Sequence, residues 1–190
     1  MISRNKNQRI GIFIDIQNLY HSAKNLYRAR INYRELLKEL TAGRQLIRTI
    51  GYVVKTDAIL GDGARAEGMR SGTQMSGERP VSPEASFFDA LTKSGVELRM
   101  KDIQVFPDGT KKADWDIGMA VDAIRMADFL DIIILVTGDG DYIPLVDYLK
   151  WGLGRGVEVA AFGRNTSAKL KEAADLFIDL ENVPRVILKK

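Results

Sequence analysis

Two stretches of this chain are apolar almost without a break, and each ends in acid. Ile10-Gly11-Ile12-Phe13-Ile14 leads into Asp15, and Ile132-Ile133-Ile134-Leu135-Val136 leads into Thr137-Gly138-Asp139-Gly140-Asp141. Runs like these, in a chain that alternates strand and helix patterns, predict parallel strands covered on both faces. Strand patterns recur at 46–58, centred on Ile50-Gly51-Tyr52-Val53-Val54, then at Val96–Met100 and at Gly156–Phe162, with a short further candidate at Leu176–Leu180. Helical spacing predicts helices over 17–27, 33–40, 84–94, 114–128, 142–152 and 166–174. Ile103-Gln104-Val105-Phe106 either continues the third strand or opens a hairpin, because Pro107-Asp108-Gly109-Thr110 is a turn signal. The alternation predicts a three-layer α/β fold: a mostly parallel sheet of about five strands, flanked by helices, with right-handed crossovers.

From Gly61 to Pro83 the periodicity fails, and Gly, Ser, Pro and Arg dominate. A loop this long is usually functional or disordered. Arg65 and Arg70 could make it a flap that touches phosphate, and a plain surface insertion fits as well. The 190 residues suit one domain, 1–190, with its core over about 8–180 and a basic tail at 183–190.

Composition narrows the chemistry. There is no cysteine, which excludes disulfides, iron–sulfur clusters and thiol catalysis, and His21 is the only histidine. A zinc site of His and Cys is therefore excluded, and a Ser-His-Asp triad would have to use His21, which reads as an ordinary helix residue. The net charge of +3 tolerates a polyanionic partner without demanding one. No apolar stretch approaches the roughly 20 residues of a membrane span. The polar start Met1-Ile2-Ser3-Arg4-Asn5-Lys6 lacks the apolar segment of a signal peptide, so the cytoplasm is the expected location.

The acids are the informative residues. Ligands of parallel α/β sheets sit beyond the carboxyl ends of the strands, and carboxylates gathered there repel one another unless a cation joins them. Asp15 and Asp139 both follow such strands, which points to a divalent-metal site. Asn18 could orient a water or contact a phosphate, or cap the helix; Thr137 could bond a carboxylate or simply end the strand. Asp141 serves equally as a metal ligand or as the N-cap of the helix carrying Pro144.

In the helix at 114–128, Ile117, Ala120, Val121 and Ile124 fall at i, i+3, i+4 and i+7 and are expected to face the sheet. Asp114, Gly118 and Asp122 then share one side, Gly118 leaves room between the acids, and Asp116 points away. Asp114, supported by Asp122, is therefore the expected third carboxylate, although the helix macrodipole alone would also favour acids in the first turn. Lys111, Lys112, Arg65, Arg70, Arg155 and Arg164 are candidate contacts to a phosphate backbone. A P-loop is absent, and Gly152, Gly154 and Gly156 fall between helix and strand, the wrong order for a dinucleotide fingerprint. Gln17, two residues past Asp15, disfavours an aspartyl-phosphate phosphatase.

Asp15-Ile16-Gln17-Asn18, the helix carrying Asp114 through Asp122, and Thr137-Gly138-Asp139-Gly140-Asp141-Tyr142-Ile143-Pro144-Leu145 occur in this order. In this the chain resembles the NYN domain family, PIN-like proteins of the LabA group, over roughly residues 8–180. Thr137 stands where serine is commoner, and the long loop at 61–83 is less typical. The resemblance implies a Rossmann-like PIN fold and a metal-dependent ribonuclease in which Asp15, Asp114, Asp139 and Asp141 form the acidic cluster.

The first functional expectation is therefore an endoribonuclease using Mg²⁺ or Mn²⁺, hard ions suited to an all-oxygen ligand set. Its substrate would be single-stranded RNA. The second is a non-catalytic RNA-binding or regulatory module that keeps the fold. A weaker third is a metal-dependent phosphatase acting on small esters. A homo-oligomer is left open, and no membrane partner is expected.

Overall fold

The structure is a computed structural model. It describes residues 5–55, 83–102, 104–105, 111–112 and 114–188. Arg65 and Arg70, with nearly all of the loop that carries them, lie outside the described residues.

The central strand is β1 (Arg9–Asp15), whose residues Ile10 to Ile14 are buried. It pairs in parallel with β3 (Gln45–Lys55) on one side and with β7 (Ile132–Val136) on the other. Adding β4 (Glu97–Asp102), β8 (Gly156–Ala161) and β9 (Leu176–Asp179) gives a six-stranded sheet in the order β4-β3-β1-β7-β8-β9. Every pairing in it is parallel. The sixth strand is the short candidate at 176–180, half-buried throughout and so weaker in pattern.

The pleat divides each strand between two cores. Ile10, Ile12 and Ile14 pack with α1 (Ile16–Tyr27), α2 (Tyr33–Thr41) and α3 (Pro83–Lys93) through Leu19, Leu36, Leu40 and Leu91. Phe13, Ile133 and Leu135 pack on the other face with Met119, Val146 and Leu170. These belong to α4 (Asp116–Met126), α5 (Ile143–Asp147) and α6 (Ala168–Ala173). The three-layer α/β expectation therefore holds, with helices on both faces of a parallel sheet.

Short irregular pieces complete the molecule. β2 (Arg30–Ile31) pairs antiparallel with β10 (Ile187–Leu188), so part of the expected basic tail is a strand against the body of the protein. β5 (Gln104–Val105) pairs antiparallel with β6 (Lys111–Lys112), a pairing that fits the hairpin alternative. Among the described residues no helix is long and apolar enough to cross a membrane.

Strand order decides where a ligand can sit. The chain builds outward from β1 through β3 to β4, then returns to place β7 on the other side of β1. That reversal is a topological switch point, and the crevice beyond the carboxyl ends of β1 and β7 is the expected binding place.

One charged pair stands in the core. Glu158 on β8 and Arg44, just after α2, are both fully buried in their side chains, with contacts of 2.5 Å and 3.0 Å between guanidinium and carboxylate. Arg44 also donates to the Leu40 carbonyl at 2.7 Å. Removing one partner of such a pair strands the other in a low-dielectric interior. Arg44→Leu is expected to cost about 3 kcal/mol of unfolding free energy, measurable by urea denaturation.

Candidate acidic site at the sheet switch point

Asp15 ends β1 and caps α1 in the same position: its Oδ1 accepts the Asn18 amide at 2.9 Å. Asn18 in turn accepts the Gly138 amide at 3.1 Å through its side-chain oxygen. One asparagine therefore ties the loop after β1 to the loop after β7. Gly138 must be glycine for steric reasons, since a Cβ there would lie 2.6 Å from the Asn165 carbonyl oxygen.

Beyond Gly138 the loop folds on itself. The buried Thr137 hydroxyl oxygen accepts the Asp139 amide at 3.2 Å, and Asp139 Oδ1 accepts the Asp141 amide at 3.0 Å. Asp139 is therefore the N-cap of the short turn at Gly140–Tyr142, a role the sequence suggested for Asp141. Asp141 is exposed beside it. Pro144 sits in the first turn of α5 as expected.

The third carboxylate is Asp116, which corrects the expected geometry of α4. The helix turns Met119 and Ala123 to the sheet, while Ile117, Val121 and Ile124 are exposed. Met119 and Ala123 join the cluster of Phe13 and Tyr52, and a helix with two apolar stripes offers its pattern no way to choose between them. Asp116 lies on the inward side and accepts the buried Tyr142 hydroxyl at 2.9 Å. Asp114 precedes the helix, is exposed, and acts electrostatically on Asp116.

Asp122 is removed from this group. It accepts the Tyr52 hydroxyl at 3.0 Å and lies 3.7 Å from Arg99, a structural arrangement further along α4. Nor is the space at Gly118 open: the Trp115 ring occupies it, and a Cβ would meet that ring at 2.5 Å. Trp115 is held by its indole N–H on the Val53 carbonyl at 2.9 Å, which pins the start of α4 to β3.

Electrostatics mark the cluster. The Asp15 carboxyl is pushed up to about 6, first by burial and then by the charges of Asp116 and Asp139, against the lowering effect of the Asn18 amide. Asp116 is also raised, by burial first and then by Asp114, Asp139 and Asp141, with the Tyr142 hydrogen bond opposing. Burial first, and then Asp15, Asp116 and Asp139, push the Tyr142 hydroxyl far up, so it stays a proton donor. No ion pair among the described residues reaches any of these acids.

A mutually repelling, oxygen-only donor set fits a hard dication in its chemistry. Among the described residues no three acidic or histidine side chains stand close enough together to hold a metal ion as they are.

The basic candidates separate. Arg164 follows β8 at the carboxyl edge, largely exposed and 3.5 Å from Glu181. Arg155 precedes β8, at the opposite edge, where it faces Asp128 at 4.0 Å. Lys112 lies on β6, and its side chain is outside the described residues. Sequence reasoning set Asp116 aside and gave Tyr142 no role, because the two apolar stripes of α4 carry no signal that favours the one through Met119 and Ala123.

Sheet and site together define an α/β protein with an acidic crevice at its switch point. Residues 9–181 match the NYN domain, and the chain belongs to the NYN domain family. It is 26% identical over 119 residues to the low amplitude and bright protein LabA of Synechococcus elongatus, a match covering 60% of this chain and 63% of that one. The chain thus spans less than two thirds of that relative. The crystal structure of a Vibrio parahaemolyticus protein of unknown function is similar along its whole length, with a TM-score of 0.77 and 26% identity, covering 98% of this chain and 100% of that one.

The raised Asp15 carboxyl has a stability consequence. The folded state holds this proton more tightly than the unfolded chain, so its contribution is complete below about pH 4 and is lost as pH rises toward 6. Asp15→Asn keeps the cap acceptor and removes the charge. The variant is expected to be more stable than the parent by on the order of 2 kcal/mol at pH 7.5, with the difference vanishing near pH 4. Paired denaturation curves at the two pH values check this.

Proposed function

We propose that this protein is a divalent-metal-dependent endoribonuclease acting on single-stranded RNA. The observation that carries the reading is the convergence of Asp15, Asp116 and Asp139, partly buried and without a basic partner among the described residues, at the carboxyl edge of a parallel sheet. Membership of the NYN family supports it.

Asp15, Asp116 and Asp139 would hold Mg²⁺ or Mn²⁺, with the exposed Asp141 and Asp114 at the rim. The ion would supply an acidified water and neutralise charge on the phosphate. The protein's own part is organisation. Asn18 fixes the two acid-bearing loops to each other, Thr137 sets the turn of Asp139, and Tyr142 orients Asp116. The Asp15 carboxyl, raised by burial and by its acidic neighbours, is the group whose ionised form a bound cation would favour most. Arg164 stands at the same edge and is suited to a backbone phosphate, as Lys112, Arg65 and Arg70 are by charge.

The absence of a closed three-acid cage among the described residues favours a second reading, a module that binds RNA without cutting it. Both are tested with labelled RNA incubated in EDTA, Mg²⁺ or Mn²⁺. Ion-dependent cleavage is expected, reduced on the order of 10²-fold or more in Asp15→Asn, Asp116→Asn and Asp139→Asn. Asp122→Asn should stay within a few-fold of the parent, because Asp122 serves Tyr52 instead. Undiminished cleavage by the folded Asp15 and Asp139 variants would overturn the site. RNA retained on a filter with no product under any ion would establish the binding module.

A further inference from the structure

A second cavity lies on the opposite face of the sheet from α4, bounded by α1, α3 and the β2–β10 pair. It has a volume of about 500 Å³ and shares no residue with the acidic crevice. Small-molecule sites are commonly about 300–1,000 Å³. Its walls carry three aromatic rings, with Phe87 at 6.5 Å from Tyr20 and 6.1 Å from Tyr33, both edge-on between ring centres.

Tyr33 is the informative wall residue. It is only 8% exposed as a residue, and its hydroxyl is not one of the buried polar atoms left without a partner, so the phenol end keeps accessible surface where Tyr33 lines the cavity. Burial and the neighbouring Tyr20 phenol push its pKa up, so the group remains a donor. The cavity therefore offers a ligand one hydrogen-bond donor at Tyr33 as well as apolar surface at the rings.

The mouth of the cavity adds charge. Arg30 lines it and is exposed, and Arg28 and Arg34 flank it in the chain. None of the three forms an ion pair with a described residue. Guanidinium groups suit phosphate and stack on flat rings.

We propose that this cavity is a nucleotide-binding site: a base lies among Tyr20, Tyr33 and Phe87 and accepts a hydrogen bond from Tyr33, and its phosphate meets Arg30. The chemistry is the same for a free mononucleotide and for one nucleotide of an RNA strand. The site does not rest on the nuclease reading, since it uses neither the acidic residues nor a metal.

The test is calorimetric titration of the full chain, in EDTA, with AMP, UMP, adenosine and a short single-stranded oligonucleotide. A mononucleotide is expected to bind the parent and Asp15→Asn with equal affinity. Tyr33→Phe, which keeps the ring, should weaken binding by about three- to ten-fold, the worth of one hydrogen bond. Arg30→Ala should weaken AMP or UMP and leave adenosine unchanged. Displacement of the mononucleotide by the oligonucleotide assigns the site to a strand, and failure to displace it assigns the site to free nucleotides. Absence of binding at millimolar nucleotide would overturn the proposal. So would loss of binding in Asp15→Asn, or unchanged affinity in both Tyr33→Phe and Arg30→Ala variants whose circular dichroism shows them folded.

Discussion

The parallel pairing of β1 with β7, Ile10 against Ile132 through Ile14 against Val136, is the constraint on which the site depends. Both strands are buried on both faces, so their register is held by two cores at once. Whatever follows each strand is thereby delivered to the same edge. Asp15 and Asp139 are placed there by the packing of isoleucine, leucine and valine several residues earlier. Asn18 then locks the two loops by bonding the Gly138 amide, and the missing Cβ at Gly138 lets the Asn165 carbonyl close the far side.

The arrangement sets core and site in opposition. A fold that gains from burying β1 also draws the Asp15 carboxylate out of water, and adds Asp116 and Asp139 beside it. Elsewhere among the described residues, Asp131 and Glu158 are met by cations or amides. Asp131 receives the Arg9 backbone amide and guanidinium and is held down to about 2, and Glu158 receives Arg44. Only at the switch point does the chain leave raised carboxylates facing one another without a guanidinium among the described residues. Strain of that kind is where function is expected.

Much of this was legible in the order of residues. β1 and β7 announce themselves because a strand covered on both faces needs an unbroken apolar run, and the acids at their ends follow at once. β2 and β10 did not, because two-residue strands carry no periodicity. The orientation of α4 was read wrongly, since Ile117, Val121 and Ile124 make a stripe as regular as the true one through Met119 and Ala123. The stripe through Ile117 points to Asp114 and Asp122, whereas the structure turns Asp116 inward to Tyr142 and leaves Asp114 exposed at the start of the helix. It also presents Gly118 as an opening for ligand, where the Trp115 ring occupies the space. Arg155 was recoverable: a residue preceding a parallel strand belongs at the amino edge, away from ligand.

The β1–β7 pairing also has a meaning for the chain while it is being made. Contacts between segments so distant along the polypeptide close late, after the intervening loop entropy has been overcome. On the ribosome Asp15 emerges well before Asp139. Until β7 slots in beside β1, Asn18 has no Gly138 amide to grip and Asp116 has no Tyr142 hydroxyl. A nascent or truncated chain therefore carries the acids without the crevice, and whatever these carboxylates do must wait for the finished protein.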